Sequence, residues 1–313
     1  MSEYVIRRLL LVIPTMLVVA IFAFGLLNLT PGDPASLMAG EQETPEDIER
    51  LRKAMGLDKP IGERFIIWMG QLVRGDLGDS IRSGKSVSSI LVGRLEPTIS
   101  LTVLTEILSI SVAIPLGVLA AWKAHSWVDR SLMAISVVGF SVPVFFLGFM
   151  MIWVVSLKFG LLPAGGYHRI FDGFGPYIER LIMPAVAAAI VMIALLARIT
   201  RAAVIEVLQE DYVRTARAKG LPNRMVLTRH ALRNASLPII TVIGLGFASL
   251  LAGIVVVEVV FAIPGLGRLL ADGIKARDYP IIQGVMIFMS ALYIMVNLGV
   301  DLAYAYFDPR IRY

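Results

Sequence analysis

Leu181-Ile182-Met183-Pro184-Ala185-Val186-Ala187-Ala188-Ala189-Ile190-Val191-Met192-Ile193-Ala194-Leu195-Leu196-Ala197 is an apolar run without one ionisable side chain. A helix needs about 20 such residues, within a range of about 17 to 25, to cross the hydrocarbon core of a bilayer. Directly after it the chain turns basic. Segment 198–237 holds Arg198, Arg201, Arg214, Arg217, Lys219, Arg224, Arg229 and Arg233 against Glu206, Glu210 and Asp211. A span feeding a long basic segment sets the frame for the rest. Five more apolar runs follow the same rule: Leu9–Leu29, Thr98–Trp122, Leu132–Leu157, Leu237–Phe261 and Ile281–Tyr306. Pro14, Pro115, Pro143 and Pro184 fall inside or near these runs, which lipid-embedded helices tolerate better than soluble ones.

Composition agrees. Of 313 residues, 57% are hydrophobic and 17% charged, and mean hydropathy is +0.76. A soluble α/β enzyme, a disordered chain and a fibrous protein are excluded on that basis. A net charge of +5 is too small to indicate nucleic-acid binding, and none is expected. Without cysteine there are no disulfides, thiolate metal sites or cysteine nucleophiles. The first run follows Arg7-Arg8 as a secretory leader would. It is longer than a usual leader core, however, and Ala20 and Ala23 sit inside it, so an uncleaved span is expected. The fold class expected is an all-α polytopic membrane protein, six transmembrane helices with a structured external loop. Residues 1–97 would form the first span and that loop; residues 98–313 would form a five-helix core containing loop 198–237.

Lys and Arg set the orientation. With a cytoplasmic N-terminus the inner segments hold fourteen of them and the two short outer loops hold six. The other nine lie in the long first loop beside eleven acidic residues, where the rule is weakest. Both termini are expected inside. Trp122, Trp127, Trp153, Tyr293, Tyr304 and Tyr306 lie near span ends, where amphipathic rings collect.

The external loop, 30–97, opens on Pro31-Gly32-Asp33-Pro34, a strong helix breaker. Thr44-Pro45-Glu46-Asp47 reads as a helix start running to Ala54 and stopping at Gly56. A second helix, Pro60–Val73, carries Phe65, Ile66, Trp68, Met69 and Leu72, apolar residues that either lie on the membrane or pack on the spans. Gly84-Lys85-Ser86 imitates the end of a P-loop. The glycine required five residues earlier is Asp79, no buried strand precedes it, and the segment is external; a nucleotide site is rejected.

The basic segment contains Asp211-Tyr212-Val213-Arg214-Thr215-Ala216-Arg217-Ala218-Lys219-Gly220. Acid at its start and base at its end suit a short helix dipole. Tyr212, Val213, Ala216 and Gly220 are expected to share one face, narrowing from an aromatic ring to small residues that admit a close approach. Attraction to anionic lipid is the plainer reading of such a loop.

At these residues the chain resembles the permease subunits of bacterial ABC importers, most closely the dipeptide, oligopeptide and nickel branch. Of the general loop motif (Glu-Ala-Ala, three residues, Gly, nine residues, Ile-x-Leu-Pro) only Ala216, Gly220 and Leu232 match. The peptide branch shows a form like Asp211–Leu221 followed by His230-Ala231-Leu232-Arg233-Asn234. Arg7-Arg8-Leu9, Pro31-Gly32-Asp33-Pro34, Gly75-Asp76-Leu77-Gly78, Pro264-Gly265-Leu266-Gly267, Arg277-Asp278-Tyr279-Pro280 and Asp308-Pro309-Arg310 extend the likeness over the whole chain. The resemblance implies a type I importer permease in the bacterial inner membrane, without catalytic chemistry. It would bind no cofactor itself; ATP and Mg would sit on two separate ATPase subunits. A second homologous permease, making a heterodimer in preference to a homodimer, and an extracytoplasmic binding protein would complete the assembly. Glu210, Asp211, Tyr212, Val213, Arg214, Ala216, Arg217, Lys219 and Gly220 would couple to the ATPase, Tyr212 and Val213 filling its groove.

Ionisable residues within a span are functional candidates by default. Glu106 lies deep in the second run, Glu258 late in the fifth and Asp301 in the sixth, with Asn297 one turn before it. Glu106, Asn297 and Asp301 are candidates for the translocation pathway; Glu258 and Asp301 lie near the interfaces, where a structural role is the plainer reading. His125, His168 and His230 fall in separate segments and cannot form one metal site. An ion-coupled secondary transporter using Glu106 and Asp301 is the alternative class, and a nickel-chelate importer the alternative cargo. An intramembrane enzyme would need paired acids, a zinc motif or an activated serine, and none is present.

Overall fold

In this computed structural model the backbone is described for residues 2–29 and 57–307, and side chains for 10–26 and 57–300. Residues 44, 46, 49, 52 and 53 are described as well. The described chain is helical: α1 Ser2–Leu29, α2 Ile61–Val73, α3 Val87–Trp122, α4 Trp127–Ser141, α5 Val144–Met151, α6 Phe174–Leu208, α7 Asp211–Ala218, α8 Ser236–Val260, α9 Leu266–Ala276 and α10 Tyr279–Phe307. Two π-helical stretches, Ile152–Lys158 and Val226–Ala231, continue α5 and follow α7.

Four helices among the described residues are long and apolar enough to span: α3, α6, α8 and the Tyr279–Val300 part of α10. Leu10–Leu26 of α1 is a shorter apolar stretch. The third expected span is not straight. Trp127–Ser141 and Val144–Lys158 meet at 98°. Proline disfavours the helical region for the residue before it, and Val142 is extended (φ −85°, ψ 125°) with Pro143 capping α5. Pro14, Pro97, Pro115 and Pro184 stay inside their helices. The fourth span is far longer than its apolar run, because α6 continues past Ala197 to Leu208.

The chain divides into two compact units. The larger, residues 1–5, 96–268 and 293–313, is built on α6, against which α4, α5 and α8 pack. Its core joins Leu101, Leu181, Met183, Ile254, Val257 and Phe261. A second cluster unites Ala113, Leu196, Val204, Leu227, Ala231 and Ile239. Apolar side chains left outward, such as Val138, Phe146, Leu157 and Leu245, suit a lipid-facing surface.

The loop 261–268 folds over Glu258, which is fully buried. Its carboxylate accepts from Thr98 Oγ1 at 2.6 Å and from the Arg268 N–H at 2.9 Å. Thr98 Oγ1 accepts in turn from the Leu266 N–H at 2.8 Å. A Cβ on Gly265 would lie 2.1 Å from Glu258 Oε1, and one on Gly267 2.5 Å from Val255 Cα. Pro264-Gly265-Leu266-Gly267 is therefore fixed by close approach.

The smaller unit holds residues 6–95 and 269–292. Here α2 packs on α1: Phe65 and Trp68 flank Phe24, and Met69 and Leu72 join Ala20 and Ala23. Of the two placements open for α2, packing on a span is found, with Ile66 and Val73 left exposed. Gly84-Lys85-Ser86 closes a turn bridged from Asp79 to Ser86 and leads directly into α3. Asp278 is buried beneath that turn and accepts from Ser80 Oγ at 2.6 Å and from the Ile81 and Arg82 N–H groups at 3.3 Å. The helix expected from Thr44 to Ala54 lies largely outside the described residues, as do Pro31-Gly32-Asp33-Pro34 and Asp308-Pro309-Arg310.

Replacing Asp278 with Ala leaves one hydroxyl and three amides, those of Ile81, Arg82 and Ile281, without their acceptor, each loss costing about 1–3 kcal/mol. Trypsin is expected to cut after Arg82 and Lys85 at least about tenfold faster in Asp278→Ala than in wild type, because cleavage follows the open population. Mass spectrometry of a timed digest in detergent reads this.

Candidate functional site

The strongest candidate is α7 and its support. Helix α6 ends in hydrogen bonds from the Gln209 N–H to the Glu206 carbonyl and from the Glu210 N–H to the Val207 carbonyl. Glu210, extended at ψ 145°, then starts α7 with its carbonyl accepting from the Val213 N–H. Val213 is fully buried and Ala216 nearly so. They face inward while α7 lies against the π-helical stretch Val226–Ala231 and the end of α6. Tyr212 is half-exposed; its hydroxyl accepts from Asn234 Nδ2 at 2.6 Å, and the same Nδ2 group donates to the His230 carbonyl. Tyr212 and Asn234, widely separated in sequence, thus close the segment between them.

This distribution corrects part of the expected surface. Tyr212, Val213, Ala216 and Gly220 do not form one outward face, since Val213 and Ala216 are spent on anchoring α7. The outward residues are Glu210, Asp211, Tyr212, Arg214, Thr215, Arg217, Ala218, Lys219 and Gly220. Arg214 and Asp211 form an exposed pair at 3.1 Å, a kind worth little in water. Arg217 and Lys219 leave the C-terminal end of the surface basic.

Gly220 has a conformational role beside the close approach expected of it. Its φ is +80°, and nothing lies within 4 Å of an added Cβ. Its N–H donates to the Arg217 carbonyl and the Leu221 N–H to the Ala216 carbonyl. These two bonds define a Schellman cap, which needs a left-handed residue. Glycine is there for backbone conformation.

Glu106, the deepest candidate of the pathway, is buried on α3 with both carboxyl oxygens lacking a hydrogen-bond partner among the described residues. Thr98, Thr102, Thr105 and Ser109 are buried on the same helix. Thr102 and Ser109 donate back to the carbonyls of Thr98 and Thr105, so these two hydroxyls serve their own helix. Asn297 is half-buried on α10, and the side chain of Asp301 lies outside the described residues. A cavity of about 400 Å³ in the larger unit is apolar; Phe140, Val144, Met192, Leu245, Ser249 and Gly253 are among its walls, and Glu106 is not.

Two buried centres were not singled out in the sequence as sites. Asp278 with Ser80 is one. The other is Asp129 with Arg201, a two-pronged pair in which Arg201 Nη2 donates to Asp129 Oδ2 at 2.7 Å and Nε to Oδ1. Ser126 caps α4 at the Asp129 N–H, and Ser126-Trp127-Val128-Asp129 carries the spacing of a capping motif. That signal was present in the sequence; the partner Arg201 read only as one more basic residue. No group of three or more metal-ligating side chains occurs among the described residues.

Comparison with known proteins fixes the class. Residues 113–313 match the family described as binding-protein-dependent transport system inner membrane component, and residues 1–102 match its N-terminal region. The chain belongs to that family of transport-system membrane components. It is 48% identical to a probable peptide ABC transporter permease of Sinorhizobium fredii, over all of both chains. It is 40% identical to the dipeptide transport system permease of Escherichia coli K12, over all of this chain and 99% of that one. A glutathione transport system permease of Escherichia coli O6:H1 is 42% identical, with both chains fully covered. Among solved structures, an inward-facing MetNI methionine ABC transporter chain superposes with a TM-score of 0.60 at 17% identity, covering 70% of this chain and 96% of that one. That likeness shows the fold, a type I importer permease. The ion-coupled secondary transporter is set aside.

Gly220→Ala is expected to destabilise the end of α7 by about 1 kcal/mol, the cost of placing a Cβ in the left-handed region. Amides at the C-terminal end of α7 should then exchange about fivefold faster. Gly220→Asn should exchange more slowly than Gly220→Ala, since Asn visits that region more readily. Hydrogen exchange with mass spectrometry in detergent distinguishes the two.

Proposed function

We propose that this chain forms half of the translocation pathway of an ATP-driven importer, taking up peptides delivered by an extracytoplasmic binding protein. Separate ATPase subunits would drive it through α7. The observation that carries the coupling assignment is the division of α7 into two faces. Val213 and Ala216 tie it into the chain, while Asp211, Tyr212, Arg214, Arg217 and Lys219 stand outward. An anchored helix with a charged outer face transmits a push, whereas a free loop does not.

Work would pass as follows. Two ATPases closing on ATP and Mg would carry α7 with them. Because α7 leaves α6 through only Gln209 and Glu210, α6 would move too. The spans would then exchange an inward-open for an outward-open packing, a rigid-body transition driven by the ligand's preference for one state. The chain would need no ATP site of its own. Both termini would face the cytoplasm with α7. A second, similar permease would supply the other half of the path. Glu106, Asn297 and Asp301 remain the residues proposed to meet cargo. Peptide cargo is supported by relatives named as peptide and dipeptide permeases at 38% to 48% identity over the full chain.

Ala218→Trp is the informative substitution, because Ala218 is exposed and helical, and a bulky ring there obstructs the outer face without straining the backbone. The wild-type chain, solubilised mildly from native membranes, should bring down an ATPase and a second permease. Ala218→Trp should retain the permease and lose most of the ATPase. Equal recovery of the ATPase with both versions would sink the assignment of α7. Uptake of alanyl-alanine and of pentaalanine by the reconstituted wild-type complex tests the cargo.

A further inference from the structure

Asp129 is a buried carboxylate held by a guanidinium. Besides both arms of Arg201 it accepts the His125 N–H at 2.9 Å, across a turn in which His125 has φ +65°. Only 3% of Asp129 is exposed, while a quarter of the Arg201 side chain remains so. The two come from elements that matter for motion. Asp129 sits in the first turn of α4, just beyond the turn from α3, and Arg201 lies on α6 between its apolar run and α7.

Apart from the Arg198 guanidinium, which stands 5.8 Å from the centroid of the Phe140 ring, the rest of the seam between α4 and α6 is apolar. Gly139 comes up against Ile190, with an added Cβ 3.3 Å from its side chain. A gap of about 170 Å³ bordered by Leu132, Met133, Ser136, Ile193, Ala194 and Ala197 runs between the two helices. In lipid there is no hydrophobic drive between helices. Apolar surfaces of this kind hold the helices together but give little resistance to one sliding along the other. A two-pronged guanidinium–carboxylate pair is directional and fixes both distance and angle. Of the contacts between α4 and α6, it is the two-pronged one, and it lies at the end of α6 nearest α7.

We propose that Asp129 and Arg201 are positioning residues for energy coupling, locking α4 and the α3–α4 turn to α6 so that a displacement of α7 moves them as one body. This rests on the reading of α7 as the ATPase contact. Without the pair, α6 slides under load and the push is dissipated before it reaches α4.

The chain has no native cysteine, so labels are placed cleanly at Trp127→Cys and Gln209→Cys, both exposed. Spin-label distances are measured in the assembled complex, without nucleotide and trapped with ATP and vanadate. In the otherwise native chain the distance should be the same in both states. With Arg201→Lys, which keeps the charge and loses the fork, and with Asp129→Asn, it should broaden or shift on trapping. Stimulation of ATP hydrolysis by binding protein with alanyl-alanine should fall about fivefold or more in both variants, the lower end of usual coupling free energies. ATPase recovery and basal hydrolysis should persist. A native-chain distance that changes between states overturns the proposal, as does unaltered stimulation in both variants. Absence of the ATPase from the wild-type complex overturns the reading of α7 itself, and the proposal with it. A variant that fails to assemble leaves the native-chain distances to decide.

Discussion

An amide N–H shut away from water without an acceptor is expensive, by several kcal/mol in an apolar layer. Helix breaks among the described residues face that requirement wherever an amide is withdrawn from water. Three buried carboxylates answer it at three breaks. Asp129 takes the His125 N–H in the turn between α3 and α4. Glu258 takes the Arg268 N–H where α8 gives way to α9, with Thr98 serving Leu266 beside it. Asp278 takes the Ile81 and Arg82 N–H groups before α3. Each carboxylate also binds a side chain from elsewhere in its unit: Arg201, Thr98 or Ser80. The acids that look anomalous in so apolar a chain are the fasteners of its turns.

This arrangement explains why scattered short motifs are informative. Gly75-Asp76-Leu77-Gly78 and Arg277-Asp278-Tyr279-Pro280 flank the two sides of one hydrogen-bonded turn. Pro264-Gly265-Leu266-Gly267 is the strand of chain laid over Glu258, where no Cβ fits. Motifs that seem independent in the sequence mark the parts of a single contact.

The spans, the basic loop and α2 were legible because hydropathy and charge are local quantities, read over about 20 residues. The interruption expected at Pro143 is found, whereas the one expected at Pro115 is not, since Pro115 sits inside α3 as three other prolines sit inside their helices; sequence alone does not say which proline breaks. The burial of Val213 and Ala216 was missed for a related reason. On a helix of eight residues two faces compete for an aromatic and two small residues, and only the packing partner, Val226–Ala231, decides which face turns inward. Gly220 was found by position, but its left-handed cap was not, since spacing cannot separate a left-handed cap from a close approach. Arg201 was lost among eight basic residues because a pairing with Asp129 seventy-two positions away leaves no local trace.

The 98° bend has a further meaning for the lipid around the protein. Helix α4 has 15 residues, about 22 Å at 1.5 Å per residue, against a hydrocarbon layer of about 30 Å. Once the chain turns at Pro143, the arm Val144–Lys158 cannot run in line to make up the difference. Helix α4 alone is therefore shorter than the layer, and a bilayer that meets it meets a mismatched element. Hydrophobic mismatch of that kind costs fractions of a kcal/mol per Å. A short apolar element of that kind is sensitive to the thickness of the surrounding layer, and it is the same helix that Asp129 fastens to α6.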